Sequence, residues 1–320
     1  MMASGYLAAA GSRKPPEYAL SPGSGGQGDD APMTDEPCQF SRRQTLTTLA
    51  ALCGALVLPS AALAAIPFVS RRIVVSVQGT GRDVILIPGL GSGPEIWDRL
   101  IRDVPGYRWH RVHVRGFAGL PPGDNGRGPL LVPLADEIAR YAAQAGLGRP
   151  TVIGHSMGGL LGLMMAERRP LGLKRLMVVD MLPAGAAMVG GTAEGLGFLA
   201  RQLRGYFTCT AAGRRTFANI LRDATPGGAD SDPDVIASAL DEIAGTDLGP
   251  RLGSILTPIT VVPAIPADRD LAAAALRRAT DAYRLAPGAR IAPVGPSGHM
   301  VMFDQPEKFA RTVRLFLAGY

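Results

Sequence analysis

Cysteine and histidine are scarce in this chain, with three and four copies among 320 residues. So few cysteines exclude a disulfide-stapled scaffold, and the dispersed histidines offer no metal-ligand spacing, so neither a metal nor another cofactor is expected. Charged residues are also sparse, at 19% against 47% hydrophobic, which excludes a disordered chain. The net charge is +6, but the basic residues stand singly or in pairs without aromatic interleaving. That pattern argues against nucleic acid as a partner. Tandem repeats and heptads are missing, which excludes solenoids and coiled coils. Glycine and proline are abundant, at 41 and 27, and they punctuate apolar runs.

The N-terminus differs from the rest of the chain. Residues 1–37 are rich in Gly, Pro, Ser and acidic residues, as a disordered leader would be. Then Arg42-Arg43 precede an apolar run that closes on Ala62-Leu63-Ala64, the layout of a secretory signal. Ser41-Arg42-Arg43-Gln44-Thr45-Leu46 resembles a twin-arginine export signal, with Thr45 where Phe is more usual. Met33 is a better start for such a signal than Met1. Residues 1–64 are therefore expected to be leader and signal, recognised by export machinery, and the mature protein to be periplasmic or extracellular. An uncleaved signal acting as a membrane anchor is the alternative; Pro59 interrupts the run before it reaches a span of ~20 residues. Removal of 1–64 leaves Cys209 alone, with no partner for an intrachain disulfide.

From residue 65 onward the pattern alternates. Ile73–Val77, Val84–Ile87, Arg111–Val114, Thr151–Ile153, Leu176–Val179, Ile259–Val262 and Arg290–Val294 read as strands. Helical spacing covers Leu130–Ala145, Leu160–Arg169, Asp270–Leu285 and Gln305–Leu317. Such alternation predicts an α/β fold: a mostly parallel, doubly wound sheet with helices on both faces. The alternation lapses over about 183–253, where helix-like pieces at 194–204, 211–223 and 233–244 suggest an inserted helical cap.

Four small or flexible residues surround one serine in Gly154-His155-Ser156-Met157-Gly158, a G-x-S-x-G between a strand and a helix. A nucleophile on so sharp a turn needs neighbours without bulk, which explains the glycines. The same turn puts the Met157 backbone N–H and a helix N-terminus beside the serine, suited to an oxyanion. A phosphate loop is excluded by the missing Gly-Lys-Ser/Thr. Serine requires a base. His155 adjoins Ser156 and reads as turn packing, while His110 and His113 lie on a strand and read as structural. His299, in the loop before the last helix, is the candidate base. Pro88-Gly89-Leu90 supplies a second oxyanion donor, the Leu90 N–H, with Trp97 packing over that loop.

LIPGLGSGPEIWD, GHSMGG and GHMVMFDQPEKF together resemble the alpha/beta-hydrolase family in order and spacing, over about 250 residues from Arg72 onward. Pro88 stands where the family more usually carries histidine, which leaves the backbone donor unaffected. The resemblance implies a Ser-His-acid mechanism with an acyl-enzyme intermediate. The acid departs from the family pattern. Its usual place, after the penultimate strand, reads ITVVPAIPADRDLA here. Asp268, 31 residues before His299, is the first choice, with Asp270 read as a cap for the next helix. Asp180, closing LMVVD one strand earlier, is the alternative, and Asp304 a remote third. The expected function is hydrolysis of a small-molecule carboxylic ester; Leu196, Phe198, Leu199, Leu203, Tyr206, Phe207 and Phe217 offer an apolar supply that would either line an acyl pocket or seal the cap against the body. Amide or lactone hydrolysis, cofactor-free perhydrolysis and a non-catalytic ligand-binding homologue stay open.

Overall fold

Strands that read as unbroken apolar runs must be covered on both faces, and the sheet shows how. The computed structural model describes residues 68–168, 172–185, 187 and 226–320. The chain divides into two units, 1–65 and 66–320, and all described residues belong to the second. The expected leader and export signal, the helix-like pieces at 194–204 and 211–223, and Cys209 lie outside the described residues.

The strands are β1 (Ile73–Gln78), β2 (Arg82–Ile87), β3 (Tyr107–Val114), β4 (Thr151–His155), β5 (Arg175–Val179), β6 (Ile259–Val262) and β7 (Arg290–Ile291). They form one sheet in the order β1-β3-β2-β4-β5-β6-β7, with β1–β3 antiparallel and every other pairing parallel. The helices are α1 (Asp98–Asp103), α2 (Leu131–Gln144), α3 (Met157–Arg168), α4 (Pro233–Gly245), α5 (Arg269–Ala282), α6 (Val301–Asp304) and α7 (Pro306–Ala318). Side chains alternate across each strand. In β2, Ile85 and Ile87 enter a core shared with α2, α3 and α4, while Val84 and Leu86 enter a second core with α1 and α7. Helices therefore cover both faces, as expected.

The differences from expectation have local causes. β3 starts at Tyr107, because Tyr107 and Arg108 pair with Arg82 and Asp83 of β2 and Trp109 is buried in the second core. β7 is two residues long, and Pro293, which lacks an N–H, separates it from an isolated bridge of Val294 to Ala264. α1 spans six residues, too few for a helical period to stand out.

α4 lies in the insertion between β5 and β6 and is tied to the body. Asp232 caps it by accepting from Asp234 N and Val235 N. Glu242 reaches across to accept from the first amides of α2, Leu130 N at 2.6 Å and Leu131 N at 2.8 Å. Ser231 Oγ donates to Gly91 O and accepts from Ala118 N, each at 3.0 Å, which joins the insertion to the loop after β2. The parallel strands β2, β4, β5 and β6 all end at one sheet edge, where open α/β sheets place their ligand crevice.

Candidate active site

Ser156 is the one residue between β4 and α3, and its φ of 51° is left-handed. A non-glycine residue there stores roughly 1–3 kcal/mol of strain, so the surroundings must hold it. They do so through Ser156 N donating to Val179 O (2.9 Å) and Ser156 O accepting from Gly159 N (2.8 Å) and Leu160 N (3.2 Å). The glycines answer to close approach. A side chain on Gly154 would run into the Gly158 backbone, and one on Gly158 into the Ile87 carbonyl. Strand, turn and helix thus cross at distances that exclude a Cβ, and Ser156 is left half-buried at the crossing.

Asp180 follows β5 directly, also with a left-handed φ of 47°. Its N–H donates to Val262 O, extending the β5–β6 ladder by one step, and its Oδ1 accepts from Ala264 N at 2.9 Å. Its Oδ2 lies 2.6 Å from His299 Nδ1. An ionised carboxylate only accepts, so Nδ1 donates to it, and in the neutral form of the ring Nε2 keeps its lone pair. The loop bearing His299 is secured from the final helices. Asp304 accepts from Gly298 N (2.8 Å) and Ser297 Oγ (3.2 Å), Gln305 Nε2 donates to Pro296 O, and Lys308 Nζ donates to Gly295 O.

Ser156, Asp180 and His299 line one cavity of about 490 Å³. Leu90 and Met157, the expected oxyanion donors, line it too. Met157 opens α3, where the first amides of a helix have no acceptor within it. The walls are largely apolar, with Met181, Leu182, Leu240 and Ile243 among them.

Among the aspartates, the structure brings Asp180 to His299, which corrects the preference for Asp268. The Asp268 carboxylate is occupied in capping α5, accepting from Asp270 N at 3.0 Å and Leu271 N at 2.9 Å. The cap expected of Asp270 is therefore made by Asp268, and Asp270 sits in the first turn. Asp304 orders the His299 loop instead of meeting the ring.

The remaining histidines have other partners. His155 is buried against the His299 ring, centroids 4.6 Å apart, and its Nε2 donates to His299 O at 2.9 Å. Its buried Nδ1 has no hydrogen-bond partner among the described residues. Burial, reinforced by His299, pushes its pKa down to about 4, so the ring is neutral near pH 7. His110 is buried between Tyr141 Oη (2.6 Å) and Asp83 Oδ1 (2.8 Å). His113 bonds Phe117 O, and desolvation lowers its pKa. Trp97 is fully buried and stacked on Phe309 in the second core, away from the cavity. Sequence reasoning missed Ser231 and Arg278, the latter a cavity-lining residue on α5. Neither stands in a motif; only the packing of α5 brings Arg278 to the cavity, and only that of the insertion brings Ser231 to the loop after β2, beside Leu90.

Comparison with known proteins adds three findings. The model of the alpha/beta hydrolase family matches residues 84–312. Two curated relatives are pimeloyl-[acyl-carrier protein] methyl ester esterases. That of Aromatoleum aromaticum is 29% identical over 259 residues, covering 74% of this chain and 98% of its own. That of Photobacterium profundum is 26% identical, covering 75% and 96%. Among solved structures, an esterase from Exiguobacterium antarcticum superposes with a TM-score of 0.63 at 17% identity, covering 77% of this chain and 96% of that one.

Proposed function

This chain belongs to the alpha/beta hydrolase family, and we propose that it hydrolyses a small carboxylic ester with Ser156 as nucleophile, His299 as general base and Asp180 as the acid. The observation that carries this reading is the 2.6 Å contact of Asp180 Oδ2 with His299 Nδ1 at the cavity that Ser156 lines. With Nδ1 protonated, His299 Nε2 takes the Ser156 hydroxyl proton while Oγ bonds to the ester carbonyl carbon. The Leu90 and Met157 N–H groups receive the oxyanion. Collapse breaks the carbonyl C–O bond, and the alcohol leaves with the proton from Nε2. Water then attacks the acyl-serine, gives a proton to Nε2, and the acid departs as Oγ recovers its proton. The charge of Asp180 stabilises the imidazolium in both halves. The methyl ester esterase relatives support the reaction class.

A fluorophosphonate probe tests this directly. Label is expected on Ser156 and lost in Ser156→Ala; an unlabelled, folded wild type overturns the enzyme reading in favour of a ligand-binding homologue. The Arg42-Arg43 signal supports export as a further part of this proposal. A full-length chain that stays wholly in the cytoplasmic fraction of its own host would remove that part.

A further inference from the structure

We propose that Arg278 recognises a carboxylate carried by the substrate away from the scissile ester, which makes esters with a free acid group the favoured substrate class. This rests on the hydrolase reading above. α5 presents Ala275, Arg278 and Ala279 to the cavity, a run spaced i, i+3, i+4 that shares one helix face. Two of the three are alanines, so the cavity wall on this helix is low and the arginine is its one long side chain. Among the described lining residues, Arg278 is the only one with a permanent positive charge. It also has no hydrogen bond or ion pair among the described residues. The cavity's carboxylate, Asp180, is engaged by His299 Nδ1 and Ala264 N and forms no ion pair with Arg278.

The pairing chemistry rests on this arrangement. A guanidinium offers planar, paired donors that match a carboxylate in two parallel hydrogen bonds. The apolar lining of the cavity, Met181 and Leu240 included, lowers the local dielectric, while the exposure of Arg278 restores part of the solvent screening. The expected discrimination is therefore about tenfold, the size of a partly exposed ion pair.

The test compares esters that differ only in charge. Monomethyl adipate against its ω-amide places the charge on the acyl side; the acetate ester of γ-hydroxybutyrate against that of its amide places it on the alcohol side. For each pair the readout is the ratio of kcat/KM, acid over amide. Wild type is expected to favour the acid in one of the pairs, which identifies the side, and the preference should shrink in high salt. The ratio should fall about tenfold in Arg278→Ala, stay intermediate in Arg278→Lys, and fall further in Arg278→Glu. A merely structural role would slow acid and amide alike and leave the ratio unmoved, which overturns the inference while the hydrolase reading stands. Equal use of acid and amide by wild type in both pairs overturns it as well. If no ester is cleaved and Ser156 takes no fluorophosphonate label, the hydrolase reading falls and carries this inference with it.

Discussion

Replacing Asp180 by Asn changes charge and hydrogen bonding at His299 without changing volume. The Asn oxygen can still accept from Ala264 N, the 2.9 Å bond now made by Oδ1. The other position, 2.6 Å from His299 Nδ1, is then an NH₂ group that only donates. It forces Nδ1 to accept, which moves the ring proton to Nε2 and blocks the lone pair needed to take the Ser156 proton. The variant also loses attraction for the imidazolium. At an effective dielectric of about 20, opposite charges some 4 Å apart gain about 4 kcal/mol, a factor of about 10³ in rate. The half-exposed His299 ring lowers that figure, and the wrong tautomer raises it; a fall in kcat of about 10³–10⁴ with little change in KM is expected. Asp268→Asn is the control. Asn caps a helix about as well as Asp, so α5 and the rate should both be preserved. Steady-state hydrolysis of a p-nitrophenyl ester, with circular dichroism to establish folding, decides the matter. A folded Asp180→Asn that keeps most of its rate, or an Asp268→Asn that loses orders of magnitude, refutes the reasoning.

Three further outcomes are expected. His155 titrates at about 4 in the fold and near its ordinary 6.5 when unfolded, so the unfolded chain binds the extra proton between those values. Its stabilising contribution is complete above pH 6.5 and is lost as pH falls toward about 4, by roughly 3 kcal/mol at most; urea melts across that window should show the decline, and His155→Gln should flatten it. Ser231→Ala removes the hydroxyl that joins Gly91 O to Ala118 N, and should lower Tm by about 2–5 °C while reducing kcat more than it raises KM, because Gly91 adjoins Leu90, the proposed oxyanion donor. An unchanged kcat would detach this contact from the proposed oxyanion loop. Gly158→Ala drives a methyl group into the Ile87 carbonyl and should destabilise by about 3 kcal/mol or more with loss of ester cleavage; a fully active, fully stable Gly158→Ala would show that the turn has room to shift.

Much of the architecture was legible because burial on two faces leaves a mark in one dimension. A strand covered on both sides has no polar alternation, and ILI before Pro88, TVI before Gly154 and LMVV before Asp180 all carry that mark. The sharp strand-to-helix turn at Ser156 was also written locally. Only small residues tolerate the crossing, and Gly154 and Gly158 flank the serine for that reason. Elements set by distant partners were less legible, such as the start of β3, which depends on Arg82 and Asp83 across the ladder.

The sequence by itself determined the order of strands and helices along the chain, the sharp serine turn and the single histidine in a loop bound for the same sheet edge, since each is a property of neighbouring residues. Only the tertiary structure decided which carboxylate stands beside that histidine. Asp268 and Asp180 both end or follow apolar strands, and chain distance favoured the former. Local backbone amides claim Asp268 as soon as α5 forms, whereas the β5–β6 ladder carries Asp180 forward, through Val262 O and Ala264 N, to within 2.6 Å of the ring. That choice depends on the register of two strands about eighty residues apart, and no single stretch of sequence contains it.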